Sequence, residues 1–435
     1  MGARPFRAAL RAAPISFAGI FAPATPALAA SSGIKAADTA WMMVATALVL
    51  MMTIPGLALF YSGMVRKKNV LATMAQSLAS VMIISILWAA FGYSLAFVGD
   101  GQWIGSLDRM FLAGMTMDSV NPAAKSIPEA LFMLYQMTFA IITVALVAGS
   151  VADRMRFSAY LLFATAWFTF VYVPIAHWVW GGGFLGAMGV LDFAGGLVVH
   201  LSAGIGGLVA AKVIGSRHGY GTENLSPFDL SLAVIGTGLL WVGWFGFNGG
   251  SALSASPRAV MAITATHLAA CTGALVWGAI EWSKRRRPSV LGLISGAVAG
   301  LGTITPASGF VAPWHGIIIG AVAGGVCYWA CTSLKQRFKY DDSLDVFGVH
   351  GVGGLTGTLL CGVFATASIG GTAGLIEGHP QQVLIQLYGI AVTLMWSAGV
   401  TYVMLKLVSI FVPLRVSREQ ELEGLDISQH GEALQ

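Results

Sequence analysis

Long apolar runs alternate with short polar ones over most of the chain. Runs of roughly the ~20 residues that a helix needs to cross a bilayer fall at about 38–63, 70–98, 128–151, 157–177, 193–214, 229–249, 259–283, 288–306, 315–334, 346–367 and 382–411, eleven in all. The third, fourth and eighth are the least sharply bounded. Two runs open alike. Asp192-Phe-Ala-Gly-Gly-Leu-Val-Val-His200 leads to Gly204 and Gly207, and Asp345-Val-Phe-Gly-Val-His350 leads to Gly354 and Gly357. Offsets of four and seven share one helix face. Each histidine therefore heads a glycine stripe along which another backbone can come close. An ionisable side chain at membrane depth marks a candidate functional site.

If the fifth and tenth spans correspond, the chain divides into halves at about 38–214 and 229–367, with an extra helix at 382–411. Five spans is an odd number, so the second half enters the membrane upside down, as in many transport proteins whose site lies at the repeat interface. The expected fold is an all-α polytopic membrane protein: eleven transmembrane helices in an inverted five-plus-five repeat plus one extra helix.

Composition agrees, with 56% hydrophobic and only 10% charged residues against roughly 25% charged in soluble domains. A net charge of +5 is then no sign of nucleic-acid binding, because Lys and Arg in membrane proteins report topology. One set of alternate ends holds 17 of them, from Arg66 to Arg418, and the opposite set holds Lys35, Arg109, Lys125 and Arg258. The positive-inside rule puts the mature N-terminus outside and the C-terminus in the cytoplasm. Residues 1–30, with Arg4, Arg7 and Arg11 ahead of a short apolar stretch and Ala27-Leu28-Ala29, have the shape of a signal peptide. The transport domain then covers 31–411. Residues 412–435 form a polar, acid-rich tail, either solvated or a docking arm. Cys271, Cys327, Cys331 and Cys361 show neither a disulfide framework nor a metal-ligand spacing, and no cofactor is expected.

Several side chains suggest chemistry. His200 and His350, if they meet, form a neutral pair in a narrow passage; the alternative is two histidines each bonded to a backbone carbonyl. Asp192 and Asp345 stand at the starts of their spans, where N-capping or a longer-range field for a cation are both open. Asp192 is eight residues from His200, about 12 Å of helix, too far to touch it. Trp244, Phe247 and Ser251 close the sixth span at its outer end, and Phe139 lies on the outer side of the third. Phenyl rings in such spans face core or lipid by default. With Trp180 and a hydroxyl nearby they would suit a small ammonium-like cation.

The segments D-F-A-G-G-L-V-V-H (192–200), W-F-G-F-N-G-G-S (244–251), D-V-F-G-V-H-G (345–351), F-Y-S-G-M-V-R (60–66) and E-G-L-D before H-G-E (423–432) resemble the ammonium transporter (Amt/Mep/Rh) family, most closely its bacterial branch. The resemblance implies a homotrimer of independent pores in the cell inner membrane. Ammonium, and with it methylammonium, would be recruited at Phe139, Trp180 and Ser251. Phe139 and Phe247 would gate a hydrophobic pore, and His200 and His350 would line it and relay a proton. Asp192 and Trp244 would support the site. The tail would couple to a PII-type nitrogen-signalling protein. Rival readings are an ammonium sensor and an intramembrane enzyme. Residues 413–435 are short for a folded effector domain, and no nucleophile or metal set converges on the histidines.

Overall fold

The computed structural model of the protein describes residues 1–2 and 33–434. The signal peptide read at 1–30 therefore lies outside the described residues, its first two excepted. Among the described residues there is no β-strand. Ten helices are long and apolar enough to cross a membrane: α1 Ala36–Met64, α2 Lys67–Phe97, α3 Glu129–Val151, α4 Phe157–Ala187, α5 Gly196–Ile214, α6 Leu230–Gly250, α7 Pro257–Arg285, α9 Pro313–Phe338, α10 Phe347–Phe364 and α11 Gln381–Phe411. The eleventh, α8, is the shorter apolar helix Val290–Ile304. Its 15 residues fall short of the expected 288–306 because the chain turns inside the protein at Thr305–Phe310, where Ala307 and Ser308 are fully buried. The fourth span exceeds its expected end and runs on to Ala187. Trp178 and Trp180, past the expected end at 177, thus sit on helical turns.

The two halves repeat one set of contacts. α1 meets α3 as α6 meets α8; α2 meets α3 and α4 as α7 meets α8 and α9; α3 meets α5 as α8 meets α10. α11 lies outside this scheme, against α4, α5 and α10. The glycine stripes explain why the centre closes. A Cβ on Gly204 would lie 2.2 Å from the Gly351 Cα, and one on Gly354 would lie 2.5 Å from the Gly196 carbonyl oxygen. Further along each stripe, a Cβ on Gly207 would strike Ser150 of α3, and one on Gly357 would strike Thr303 of α8. Equivalent glycines press equivalent neighbours.

The starts of α5 and α10 correct the reading of the acidic residues. Both helices open in a wide turn, Gly196–Leu201 and Phe347–Gly351, that carries the histidine. Residues 192–195 are a turn and not helix, with Gly195 at φ 115°. Asp192 caps α5, accepting the N–H groups of Gly195, Gly196, Leu197 and Val198 at 2.6–3.2 Å. Asp345 does not cap α10. Its φ of 57° swings its carboxylate off the helix axis toward Lys335 Nζ at 2.8 Å. The capping group is Asp342, whose Oδ2 accepts the Phe347 N–H at 2.7 Å. Asp342 precedes His350 by eight residues, as Asp192 precedes His200; the true register of the repeat pairs these two.

The basic end is closed by buried ion pairs. Arg217 grips Asp341 at 2.8 Å and reaches Asp153 at 3.4 Å. The tail, including the short helix α12 Arg418–Glu423, folds onto this network, so a solvated segment is excluded for it. Buried Glu421 accepts from Arg415 at 2.7 Å and from the His218 N–H at 2.6 Å. Buried Asp426 accepts the N–H groups of Leu71 and Ala72 at the start of α2, at 3.1 and 2.8 Å.

Two tests follow from this packing. Gly204→Val must separate α5 from α10, and overpacking of this kind costs about 1–3 kcal/mol; the purified protein should show a lower thermal midpoint and loss of monodisperse material on size exclusion. Burial pushes the Asp341 carboxyl up, but its ion pair with Arg217 prevails and holds it below the usual carboxylate range. The stabilisation is therefore present above the unfolded carboxylate pKa and lost as pH falls through the depressed folded value. Arg217→Met should remove it, and acid unfolding should then begin at a higher pH than in the wild type.

Candidate functional site

Asp192 excepted, the side chains singled out from the sequence line neighbouring cavities between the helices. At the aromatic end a cavity of about 240 Å³ is lined by Phe139, Trp180 and Ser251 together with Phe97, Phe132 and Gln136. Trp180 meets Phe139 edge-on, centroids 5.7 Å apart and planes at 88°. Its indole N–H is spent on the Asp192 carbonyl at 2.8 Å, so the ring offers the cavity π surface only. The Ser251 hydroxyl donates to the Phe247 carbonyl at 2.9 Å. Asp192 contributes no contact to the cavity or to His200. Burial pushes its carboxyl up, and the capped N–H groups of α5 oppose that effect.

Phe139 and Phe247 form the floor. Their centroids are 4.2 Å apart at 27°, a stacked pair with no space between the rings. Tyr135 holds it in place: its ring packs edge-on to Phe139 at 5.0 Å, and its hydroxyl donates to the Phe247 carbonyl at 2.8 Å. Beneath lies a void of only about 10 Å³, bounded by Phe247, Trp244, Phe60, His200, His350 and apolar side chains. That is room for about one water molecule.

The two imidazoles do meet. Their Nδ1 atoms are 3.2 Å apart and the rings are nearly parallel at 16°. Both are buried, at 1% and 4% exposure, so the alternative of two separate histidines each bonded to a carbonyl is excluded. A hydrogen bond between two Nδ1 atoms needs one donor and one acceptor, so the accepting ring carries its proton on Nε2. His200 Nε2 has no partner among the described residues. Trp244 stacks on the other side of His200, with centroids 5.6 Å apart, and its indole N–H donates to Thr305 Oγ1 at 2.9 Å. Past His350 a second cavity of about 240 Å³ opens at the basic end, lined by Phe60, Trp277, Glu281, Ser295 and Asp345.

Tyr135 and Thr305 escaped the reading from sequence. Tyr135 is one more aromatic in an apolar run. A buried tryptophan N–H calls for an acceptor, but nothing in the chain points to a threonine 61 residues away. The arrangement can seat a small cation on aromatic faces, exclude hydrated ions at the phenyl floor, and pass a small neutral molecule or a proton along the imidazoles.

Comparison with known proteins adds the family. The model of the Ammonium Transporter Family matches residues 40–434. The chain belongs to the ammonium transporter family. It is 49% identical over 397 residues to an ammonium transporter of Bacillus subtilis (strain 168), covering 91% of this chain and 97% of that one. Among solved structures it superposes on Saccharomyces cerevisiae Mep2 with a TM-score of 0.84 at 38% identity, over 89% of each chain. The family's helical scaffold also includes a protein described as a sensor Amt protein, matched with a TM-score of 0.84 at 28% identity over 91% of this chain and 98% of that one.

Thr305→Val should leave the buried Trp244 N–H without a partner, a loss of about 1–3 kcal/mol. Thermal denaturation of the purified protein should show a clear drop in midpoint, with Thr305→Ser restoring most of it.

Proposed function

We propose that the protein moves ammonium across the cytoplasmic membrane by stripping it of a proton before the narrow segment. Ammonium settles against Phe139 and Trp180 beside Ser251, where ring faces attract a cation. Asp192 supports this site from outside the cavity by fixing the start of α5 and the Trp180 indole. Phe139 and Phe247 then swing apart as the gate. Ammonia passes along His200 and His350, with Trp244 as a wall, while the departing proton travels by the imidazoles. Potassium is similar to ammonium in size and charge but has no proton to shed, so a dry, phenyl-gated passage rejects it.

The observation that carries this reading is the contact of His200 with His350 at 3.2 Å, buried between a closed phenyl floor and an open cavity. Around that pore we infer a homotrimer with separate passages, the mature N-terminus outside after removal of the signal peptide, and the tail in the cytoplasm within reach of a PII-type regulator. Methylammonium would follow the same route, without cofactor or metal. The likeness to a sensor Amt protein favours a second reading, in which occupancy is relayed through the tail; flux through the purified protein separates the two.

His200→Ala and His350→Ala in liposomes should each lower ammonium-selective current by about tenfold or more, with folding unchanged on size exclusion. Normal ammonium-specific currents in both variants would refute the pore assignment, and no current in the wild type would leave the sensor reading.

A further inference from the structure

The repeat gives the two mouths of the pore the same backbone and different chemistry. At the aromatic end, the last turns of α4 deliver Trp180, whose Nε1–H donates to the carbonyl of Asp192 at 2.8 Å. At the basic end, the corresponding carbonyl is that of Asp342, the residue paired with Asp192 by its distance from the histidine. It accepts from the end of α9, the span that corresponds to α4, and the donor there is Lys335 Nζ at 2.7 Å. An indole at one mouth is thus replaced by an ammonium group at the other.

That ammonium group is held as a small cation would be. Beyond the Asp342 carbonyl it meets the Asp345 carboxylate at 2.8 Å. Asp345, turned by its positive φ, is also a wall of the basic-end cavity. The Asp342 carboxylate is fully buried, and its Oδ1 has no hydrogen-bond partner among the described residues. A carbonyl and a carboxylate converge on one side-chain cation beside the cavity that leads to His350, with the buried Asp342 carboxylate on the same turn. We propose that Lys335 is a built-in counterpart of the transported ion: its ammonium group fills the cation position at the basic mouth, so that free ammonium binds weakly there and the pore loads preferentially from the aromatic end.

The effect is electrostatic. A unit charge already seated against the Asp342 carbonyl and the Asp345 carboxylate offsets their attraction for a second cation within a few ångströms, where such interactions are weakly screened. Among the described residues, the aromatic mouth carries the neutral Trp180 indole at the equivalent place. Its ring faces and the Ser251 hydroxyl remain open to a guest. The two ends therefore differ in affinity although their frames are related by the repeat.

This inference rests on the transport reading, and the test keeps the two apart. Uptake of labelled methylammonium would be measured over a concentration series in right-side-out and inside-out membrane vesicles containing the full chain. The wild type should half-saturate at a concentration about tenfold lower from the aromatic side than from the basic side. Lys335→Met should lower the basic-side value several-fold and leave the aromatic-side value unchanged, while Lys335→Arg, which keeps the charge, should keep the difference. Should Lys335→Met fail to fold, Asp345→Asn reads the same mouth in the opposite sense, because it leaves Lys335 less neutralised and should raise the basic-side value. Equal half-saturation from both sides in the wild type overturns the inference, as do folded Lys335→Met or Asp345→Asn proteins whose basic-side values equal that of the wild type. Absence of wild-type uptake from either side overturns the transport reading itself and this inference with it.

Discussion

Two imidazoles can share a hydrogen bond at the centre of a membrane protein only if the backbones carrying them come nearly into contact. Here the approach is made by α5 and α10 at Gly204 and Gly351, where even a methyl group would overlap the opposite chain. Without a hydrophobic drive between helices in lipid, close van der Waals packing of small residues must hold the crossing. The histidine contact, the stacking of Trp244 on His200 and the small void under Phe247 all inherit their spacing from that crossing. The outer parts of the spans can vary more freely, because they do not set these distances.

A second constraint acts along the axis. The open cavities lie at the two ends, and the middle is nearly solid, with a void of only about 10 Å³ between them. The same capping device serves both helices that enter the middle. Asp192 and Asp342 bind backbone N–H groups that would otherwise be unsatisfied at depth. What differs is the partner of each aspartate's carbonyl, Trp180 or Lys335, and so a nearly symmetric frame yields two unlike mouths.

Much of this was legible in the sequence, and the failures have physical causes. The eleven spans follow from apolar length, since hydrocarbon thickness imposes a similar extent on most of them. α8 departs because it ends inside the protein, where neighbouring helices replace lipid and no minimum length applies. The histidines and their glycine stripes were visible because one-face spacing survives in any helix. The N-capping reading of Asp345 fails because a positive φ that turns a side chain away leaves no mark in residue order; counting eight residues back from each histidine finds Asp342 instead. Trp180, Phe139 and Ser251, whose roles the resemblance supplied, line one cavity, and Phe247 stacks on Phe139 beside the void below it. Tyr135 and Thr305 act through single hydrogen bonds to distant spans, and no periodicity announces such contacts.

The docking of the tail has a consequence for anything that would bind it. Asp426 terminates α2 from more than 350 positions away in the chain, supplying the oxygen atoms that a local N-cap would ordinarily provide. A protein that lifts the tail must replace that cap or bear its loss, about 1 kcal/mol, in addition to the ion pairs of Glu421. Such a partner gains leverage over the spans only through its preference for the lifted form over the docked one. The tail segment through Asp426 is therefore a structural member of the second helix, and regulation through it works against the stability it confers.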